Sequence, residues 1–259
     1  MFFKKSLFLV FTVLVFCESA FVDNFQPCNI NDGECAKNQL QTILKKIAKT
    51  GVPELEIPQI DPMKVEDISL SVLDLLDISL YEGTLRGVKD CVVDKFSPRL
   101  EKGRATVELT CDVSLKGHYK VFSASPIVKT LFGADTVHGD GNGKVKIEKL
   151  HLKFEFSFFV QRRNGELYFK CKPDKTTYKY EIKGKTSFVA DSLFIGDKES
   201  SKIVTDLLNQ NGQFLLTSFG KPFMDKAMEY VYNFIHVFLD NVPAKYFVAG
   251  DLSSYAKDE

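Results

Sequence analysis

The sequence has few histidines and no recognisable catalytic motif, and it lacks tryptophan altogether. Its four histidines, His118, His138, His151 and His236, show no metal-ligand spacing such as H-E-x-x-H, and no serine lies in a G-x-S-x-G elbow. There is also no N-x-S/T sequon, so N-glycosylation is not expected. We therefore expect a protein that is not an enzyme and that uses neither a metal nor a cofactor.

The chain also lacks an excess of charge of either sign, because 34 lysines and arginines balance 34 aspartates and glutamates. A balanced chain has no overall electrostatic reason to bind nucleic acid or an anionic membrane. Neither nucleic acid nor stable membrane insertion is thus expected.

One glycine-rich segment, GDGNGK at residues 139–144, is similar to a phosphate-binding loop. It has one residue too few between its outer glycines, however, and Val145 follows the lysine where such a loop needs serine or threonine. We interpret this segment as a turn. We likewise interpret the other glycines of this region, which include Gly83, Gly117 and Gly184, as positions between strands.

Long apolar runs are missing except at the N terminus. There, two lysines precede an apolar run at residues 7–16, and small residues that suit a cleavage site follow it. The run is about half of the roughly 20 residues that span a bilayer, which favours a signal peptide over a membrane anchor. We expect residues 1–20 to be removed and residues 21–259 to form one secreted, extracellular domain, since no Pro/Gly/Ser-rich linker divides them.

Five cysteines follow the predicted signal peptide. Cys28 and Cys35 enclose the turn-forming residues N-D-G, which predicts a disulfide between them, and no His/Cys pair lies nearby to complete a zinc site. Cys91 and Cys111 flank the turn-like FSPRLEKGR, and a hairpin there would place them nearly opposite each other, so a second disulfide is plausible. Cys171 is then the odd cysteine, either buried as a small apolar residue or in another arrangement.

Two periodicities divide the chain. Apolar residues at helical spacing predict an amphipathic helix over residues 32–50, and a second, long helix at about 221–240. Between them, residues 64–190 alternate with a period near two, and Phe154, Phe156 and Phe158 share one face of the clearest strand. The dipeptide Asn164-Gly165 predicts a tight hairpin turn after that strand.

Such elements bury their apolar sides only if the sheet rolls around the long helix. The pattern therefore predicts an α+β fold, with a long curved antiparallel β-sheet wrapped around a long C-terminal α-helix. Whether the interior is solid or hollow stays open, because 23 phenylalanines and 9 tyrosines suit either.

Several segments resemble the takeout and juvenile-hormone-binding proteins of insects. The N-terminal part combines a close cysteine pair, a helix, the G-x-P-E-L-x-I-P element GVPELEIP and an x-D-P turn. The resemblance continues through LKGHYKVF, VHGDGNGKVKIEKLHLKFEF and the segment from DLLNQNGQ to LDNVP, and it spans most of residues 28–248. It implies a tubular lipid-binding fold, related to bactericidal/permeability-increasing proteins, with an apolar tunnel for a terpenoid, a juvenile hormone or a fatty-acyl chain.

This chain departs from the family at two places. Members often carry an aromatic residue, commonly tryptophan, where Gly212 stands, and Cys91 and Cys111 lie outside the basic cysteine pattern. An absent indole would either widen the cavity or loosen the start of the last helix.

A carrier of a small hydrophobic ligand is the leading functional hypothesis, because apolar walls and one or two polar groups suffice for it. A lipid-transfer or membrane-contacting protein and a secreted esterase are the alternatives. Each candidate for the lining also suits a solid core, and the tyrosines among them would hold a polar group of the ligand. The candidates are Tyr119, Phe154, Phe156, Phe158, Tyr168, Phe223, Ala227, Tyr230, Val231, Phe234 and Phe238.

Overall fold

A computed structural model describes residues 21–73 and 75–258. The signal peptide predicted at residues 1–20 lies outside the described residues. The helices are α1 Gly33–Thr50, α2 Pro126–Phe132, α3 Ser201–Phe219 and α4 Lys221–Asn241. The strands are β1 Cys28–Asn29, β2 Met63–Val72, β3 Leu76–Arg86, β4 Val92–Arg99, β5 Arg104–Ser123, β6 Val137–Arg163, β7 Glu166–Ile182, β8 Thr186–Ala190, β9 Leu193–Ile195, β10 Lys198–Glu199, β11 Val248–Ala249 and β12 Ala256–Asp258.

One large sheet dominates the molecule. Its strands run in the order β10-β9-β6-β5-β3-β2, while β4 pairs with β5, and β7, β8 and β12 pair with β6. All pairs in it are antiparallel except β12 with β6. Helix α4 contacts both β7 and the edge strand β2, so the open sheet curves around it. This confirms the predicted α+β fold with an antiparallel sheet wrapped around the C-terminal helix.

Helix α1 forms where the periodicity predicted it. The Asp32 carboxylate caps it by accepting a hydrogen bond from the Cys35 amide at 2.9 Å, which satisfies a free amide of the first turn. Its apolar face buries Ile43 and Ile47 against α4. The helix ends at Gly51, whose positive φ of 65° favours glycine.

The sequence suggested a turn at the glycine-rich residues 139–143. In the structure these residues lie inside β6. Gly83 and Gly117 are also in strand interiors, and they are direct neighbours across β3 and β5. A Cβ on Gly117 would lie 2.1 Å from the carbonyl oxygen of Glu82, so the two strands approach more closely there than any side chain allows. These glycines let the sheet curve, whereas Gly165 does mark a turn, at the predicted Asn-Gly hairpin between β6 and β7.

Helix α3 is absent from the prediction. Its buried side includes Gly212, which has no side chain, and the polar run N-Q-N-G-Q interrupts the apolar periodicity there. Helix α4 starts beyond Gly220, with Pro222 in its first turn. Proline lacks an amide hydrogen, but amide hydrogens of the first turn have no partner within the helix, so no hydrogen bond is lost.

Two disulfides are present, Cys28–Cys35 and Cys91–Cys111, and both are pairs that the sequence suggested. The second one ties the start of β4 to the middle of β5. Cys171 is buried and unpaired, and burial raises the pKa of its thiol to about 12. The thiol is therefore protonated at neutral pH and behaves as a small apolar group.

Replacing both Cys91 and Cys111 by alanine should lower the free energy of unfolding by roughly 2–4 kcal/mol, because the unfolded chain gains the freedom of the opened loop. Urea denaturation of the oxidised protein, with and without the substitutions, measures this. The single variant Cys171→Ala is the control and should cost less than about 2 kcal/mol, since it removes one small buried group. Equal stability of the double variant and the wild type would contradict the expectation.

Candidate functional site

The inner face of the sheet is a continuous apolar surface. Directly paired residues share a face, so the register shows which side chains point inward. Leu115 on β5, for example, is paired with Leu85 on one side and Val145 on the other. The apolar side chains on this face include Ile68, Leu70, Ile78, Leu80, Leu85, Leu109, Leu115, Val145, Ile147, Leu152, Phe154, Phe156 and Phe188.

The half of this face under α4 is solid. Phe154, Phe156 and Phe158 are 4%, 6% and 6% exposed, and neighbouring rings lie 6.4 and 6.1 Å apart. Met228 of α4 packs into the same cluster, together with Val160 of β6. The three predicted phenylalanines are thus brought together, within a tightly packed core.

The half of the face near α3 is less completely covered. A small buried cluster of Tyr119, Val121 and Leu193 lies there, but other apolar side chains of this half are only half buried. This part is called the apolar groove, and its floor is formed by Leu70, Leu80, Leu115 and Val145 on four adjacent strands. Helix α3 covers β8 beside it. The side chains of this floor stay partly exposed, although the surface is as apolar as the packed half.

Helix α3 adds apolar surface of its own. Ile203, Leu207 and Phe214 lie on one stripe of the helix and are 54%, 38% and 66% exposed. The opposite side of the helix packs on β8 at Gly212, where a Cβ would lie 2.2 Å from Thr186 Oγ1 and 2.8 Å from a ring carbon of Phe188. Gly212 therefore lets the helix lie directly on the sheet, and there is no space for an aromatic side chain at this position.

Tyr119 closes one end of the groove. Its hydroxyl donates a hydrogen bond to the carbonyl oxygen of Asp191 at 2.5 Å, and its ring covers Gly143. Burial, with a smaller contribution from the Asp191 charge, raises the pKa of this hydroxyl to about 12. The hydroxyl is thus engaged with the backbone rather than free for a ligand.

The other two tyrosines lie outside the interior. Tyr168 is on the outer face of β7, where the Arg163 guanidinium lies 4.1 Å from the centre of its ring. Tyr230 is exposed on α4, as are Phe223 and Ala227. The structure does not bring these four residues together with the phenylalanines of β6.

The remaining candidates on α4 divide between two surfaces. Val231 packs against the sheet, whereas Phe234 and Phe238 pack in the cluster with α1. Sequence reasoning selected the phenylalanine stripe, but only its C-terminal end, Phe234 and Phe238, packs in the cluster with α1. The adjacent stripe faces the sheet. The sheet-facing stripe consists of Met224, Met228, Val231, Ile235 and Leu239, whose three- and four-residue spacing is a signal present in the sequence.

Hydrogen bonds fix the helices on the sheet at the junction of α3 and α4. Tyr180 donates to the carbonyl oxygen of Leu216 at 2.7 Å, and Tyr178 donates to the Asp225 carboxylate at 2.5 Å. Lys221 also donates to Asp225, and it is the main cause of the lowered pKa of that carboxyl, with Tyr178 as the second cause. Strand β7 therefore anchors the end of α3 through Tyr180 and the first turns of α4 through Tyr178.

Two other kinds of site are absent from the part of the chain that the structure describes. No helix there is long and apolar enough to cross a membrane. No three His, Cys, Asp or Glu side chains of those residues are arranged to hold a metal ion.

Comparison with known proteins relates the chain to one family and to solved structures. Residues 7–249 match the family described as haemolymph juvenile hormone binding protein. The structure is also similar to the crystal structure of Takeout 1 from Epiphyas postvittana, with a TM-score of 0.76 and 28% sequence identity, over 86% of this chain and 99% of that one. No curated protein sequence matches the chain.

Proposed function

Because the chain belongs to the haemolymph juvenile hormone binding protein family, we propose that it is a secreted carrier that holds one small apolar ligand without altering it. Residues 1–20 act as its signal peptide, and residues 21–259 form a single binding domain. The ligand is a terpenoid, such as a juvenile hormone, or a fatty-acyl lipid.

The observation that carries this proposal is the half-buried floor of the apolar groove. Core side chains in a monomeric protein are normally covered by neighbours, and a contiguous exposed apolar surface commonly marks a binding site. A ligand that buried about 300 Å² of apolar surface there would gain roughly 7 kcal/mol, before the loss of its own freedom is subtracted. Such a ligand needs no catalytic group, since burial alone holds it.

Native mass spectrometry of the protein secreted from insect cells tests the carrier function directly. We expect a bound organic molecule, which extraction then identifies as apolar, and a mature chain that begins at Phe21. An empty protein that also fails to bind added juvenile hormone and fatty acids would contradict the function. Retention of the protein inside the cells would contradict secretion alone.

The groove itself is tested by filling it. Leu115→Trp should weaken the binding of a fluorescent apolar probe, N-phenyl-1-naphthylamine, by about tenfold or more, because the larger ring occupies space that the ligand needs. The half-open environment of Leu115 accommodates the ring, so the melting temperature should stay nearly unchanged.

Phe156→Trp is the matched control in the packed half. It should destabilise the fold by about 1–3 kcal/mol through overpacking and leave the probe affinity of the folded protein unchanged. The opposite pattern, with binding lost in Phe156→Trp and kept in Leu115→Trp, would place the ligand under α4 instead.

A further inference from the structure

Five cations lie in two neighbouring rows on the outer face of the sheet, opposite the apolar groove. Residues directly paired across strands lie side by side, about 4.8 Å apart from strand to strand. One row crosses β2, β3, β5 and β6, and the next crosses β3, β5 and β6. The first row is Lys64, Thr84, Lys116 and Lys144, and the second is Arg86, Ser114 and Lys146; we call them the cationic rows.

These cations are poorly compensated. Lys116 lies directly opposite Lys144, an arrangement of like charges that destabilises a strand pair. Among the residues that the structure describes, Lys146 has a carboxylate partner, Glu148 at 2.7 Å, whereas no carboxylate pairs with Lys64, Arg86, Lys116 or Lys144. The protein therefore keeps four exposed, unpaired cations close together at a cost to its own stability.

The cationic rows line an open cleft on the outer face of the sheet. The cleft has a volume of about 840 Å³, and six of the seven residues of the rows line it. It also contains Gly83 and Gly117, where the sheet curves, and the acidic Glu66, Asp67 and Glu82 line its other side. An anion in the cleft would thus be confined to the cationic side by repulsion from the acidic one.

The shape of this site selects the kind of anion. The first row extends over three strand spacings, about 14 Å, which suits a chain with several regularly spaced negative groups. A flat lipid surface meets a recessed row less well than a narrow linear polymer does. Arg86 can form paired hydrogen bonds with a sulfate, and the hydroxyls of Thr84 and Ser114 lie between the cations as further donors.

We propose that the cationic rows bind a linear sulfated polysaccharide, which would retain the protein at an extracellular surface. The site lies on the face of the sheet opposite to the apolar groove, so ligand carriage and polysaccharide binding use separate surfaces. Sulfated polysaccharide, rather than nucleic acid, is the polyanion that a secreted chain meets, and to this extent the inference depends on the proposed secretion.

The test uses heparin octasaccharide and the variant in which Lys64, Lys116 and Lys144 are all replaced by glutamine. Calorimetric titration of the full-length secreted protein should show binding at about 50 mM NaCl that weakens as salt increases. In the variant the affinity should fall by about tenfold or more. The slope of log affinity against log salt should also decrease, by roughly 0.7 for each lost contact and about 2 in total.

The control variant replaces Lys45, Lys49 and Lys198, three exposed lysines outside the cleft, by glutamine and so loses the same charge. It should bind the octasaccharide like the wild type, and both variants should retain apolar-probe binding. Neither variant should lower the melting temperature, and the first variant should keep or raise it, because it removes the like charges of Lys116 and Lys144. No binding by the wild type, or equal losses in both variants, would overturn the proposal while leaving the carrier function untouched. Binding to phosphatidylserine vesicles that exceeds octasaccharide binding and is lost in the first variant would overturn it in favour of a lipid surface.

Discussion

Gly117→Ala is expected to destabilise the protein by about 3 kcal/mol or more, or to prevent it from folding. The added Cβ would lie 2.1 Å from the Glu82 carbonyl oxygen and 2.9 Å from the Cα of Gly83. Both obstacles are backbone atoms of the neighbouring strand, so relief requires β3 and β5 to separate where they are hydrogen-bonded. Urea denaturation followed by circular dichroism measures the loss, and the yield of soluble protein reports a folding failure.

Gly143→Ala is the matched control, since it makes the same chemical change on the same face of the next strand. The nearest atom to its added Cβ is a ring carbon of the Tyr119 side chain at 3.1 Å, which can shift by a few tenths of an ångström. The expected cost is at most about 1 kcal/mol. If the two variants were equally stable, close backbone approach would not be the reason for Gly117.

Phe156→Ala is the second large effect, with an expected loss of about 3–5 kcal/mol in the free energy of unfolding. The ring is buried between Phe154 and Phe158 in the packed half of the inner face, and removing it leaves a cavity that its neighbours cannot fill. Differential scanning calorimetry together with urea denaturation measures the change.

Phe122→Ala removes the same ring from an outward position on β5, where the side chain is 49% exposed. It should cost less than about 1 kcal/mol, because little is buried and no cavity forms. If Phe156→Ala also lowered the free energy of unfolding by less than about 1 kcal/mol, the interior under α4 would be loosely packed. The ligand would then have room there.

Features that depend on neighbours in sequence were predictable. The helix predicted over residues 32–50 and the Asn164-Gly165 hairpin each involve residues close to one another in sequence, so local patterns identify them. The pairing of Cys28 with Cys35 is of the same kind. The alternation through Phe154 to Phe158 also identified correctly which side of β6 is apolar.

Features that depend on close approach between distant segments were missed. In the sequence, Gly117 and Gly212 look like interruptions of the apolar pattern. In the structure, both lie where another element comes too near for a side chain. The stripe of α4 that faces the sheet could not be separated from the stripe that faces α1, because both are apolar. The sequence also does not show whether an apolar side chain lies in the packed half or in the apolar groove, because this depends on which element covers it.

By itself, the sequence determined the class of fold, the family and the apolar character of the interior, because these follow from composition, local periodicity and short motifs. The tertiary structure alone decided which half of the sheet is filled and where charge collects. The chain is neutral as a whole, yet Lys64, Arg86, Lys116 and Lys144 come together in one cleft. Strand register, which joins residues up to 80 positions apart, places them there, and no local pattern records that register.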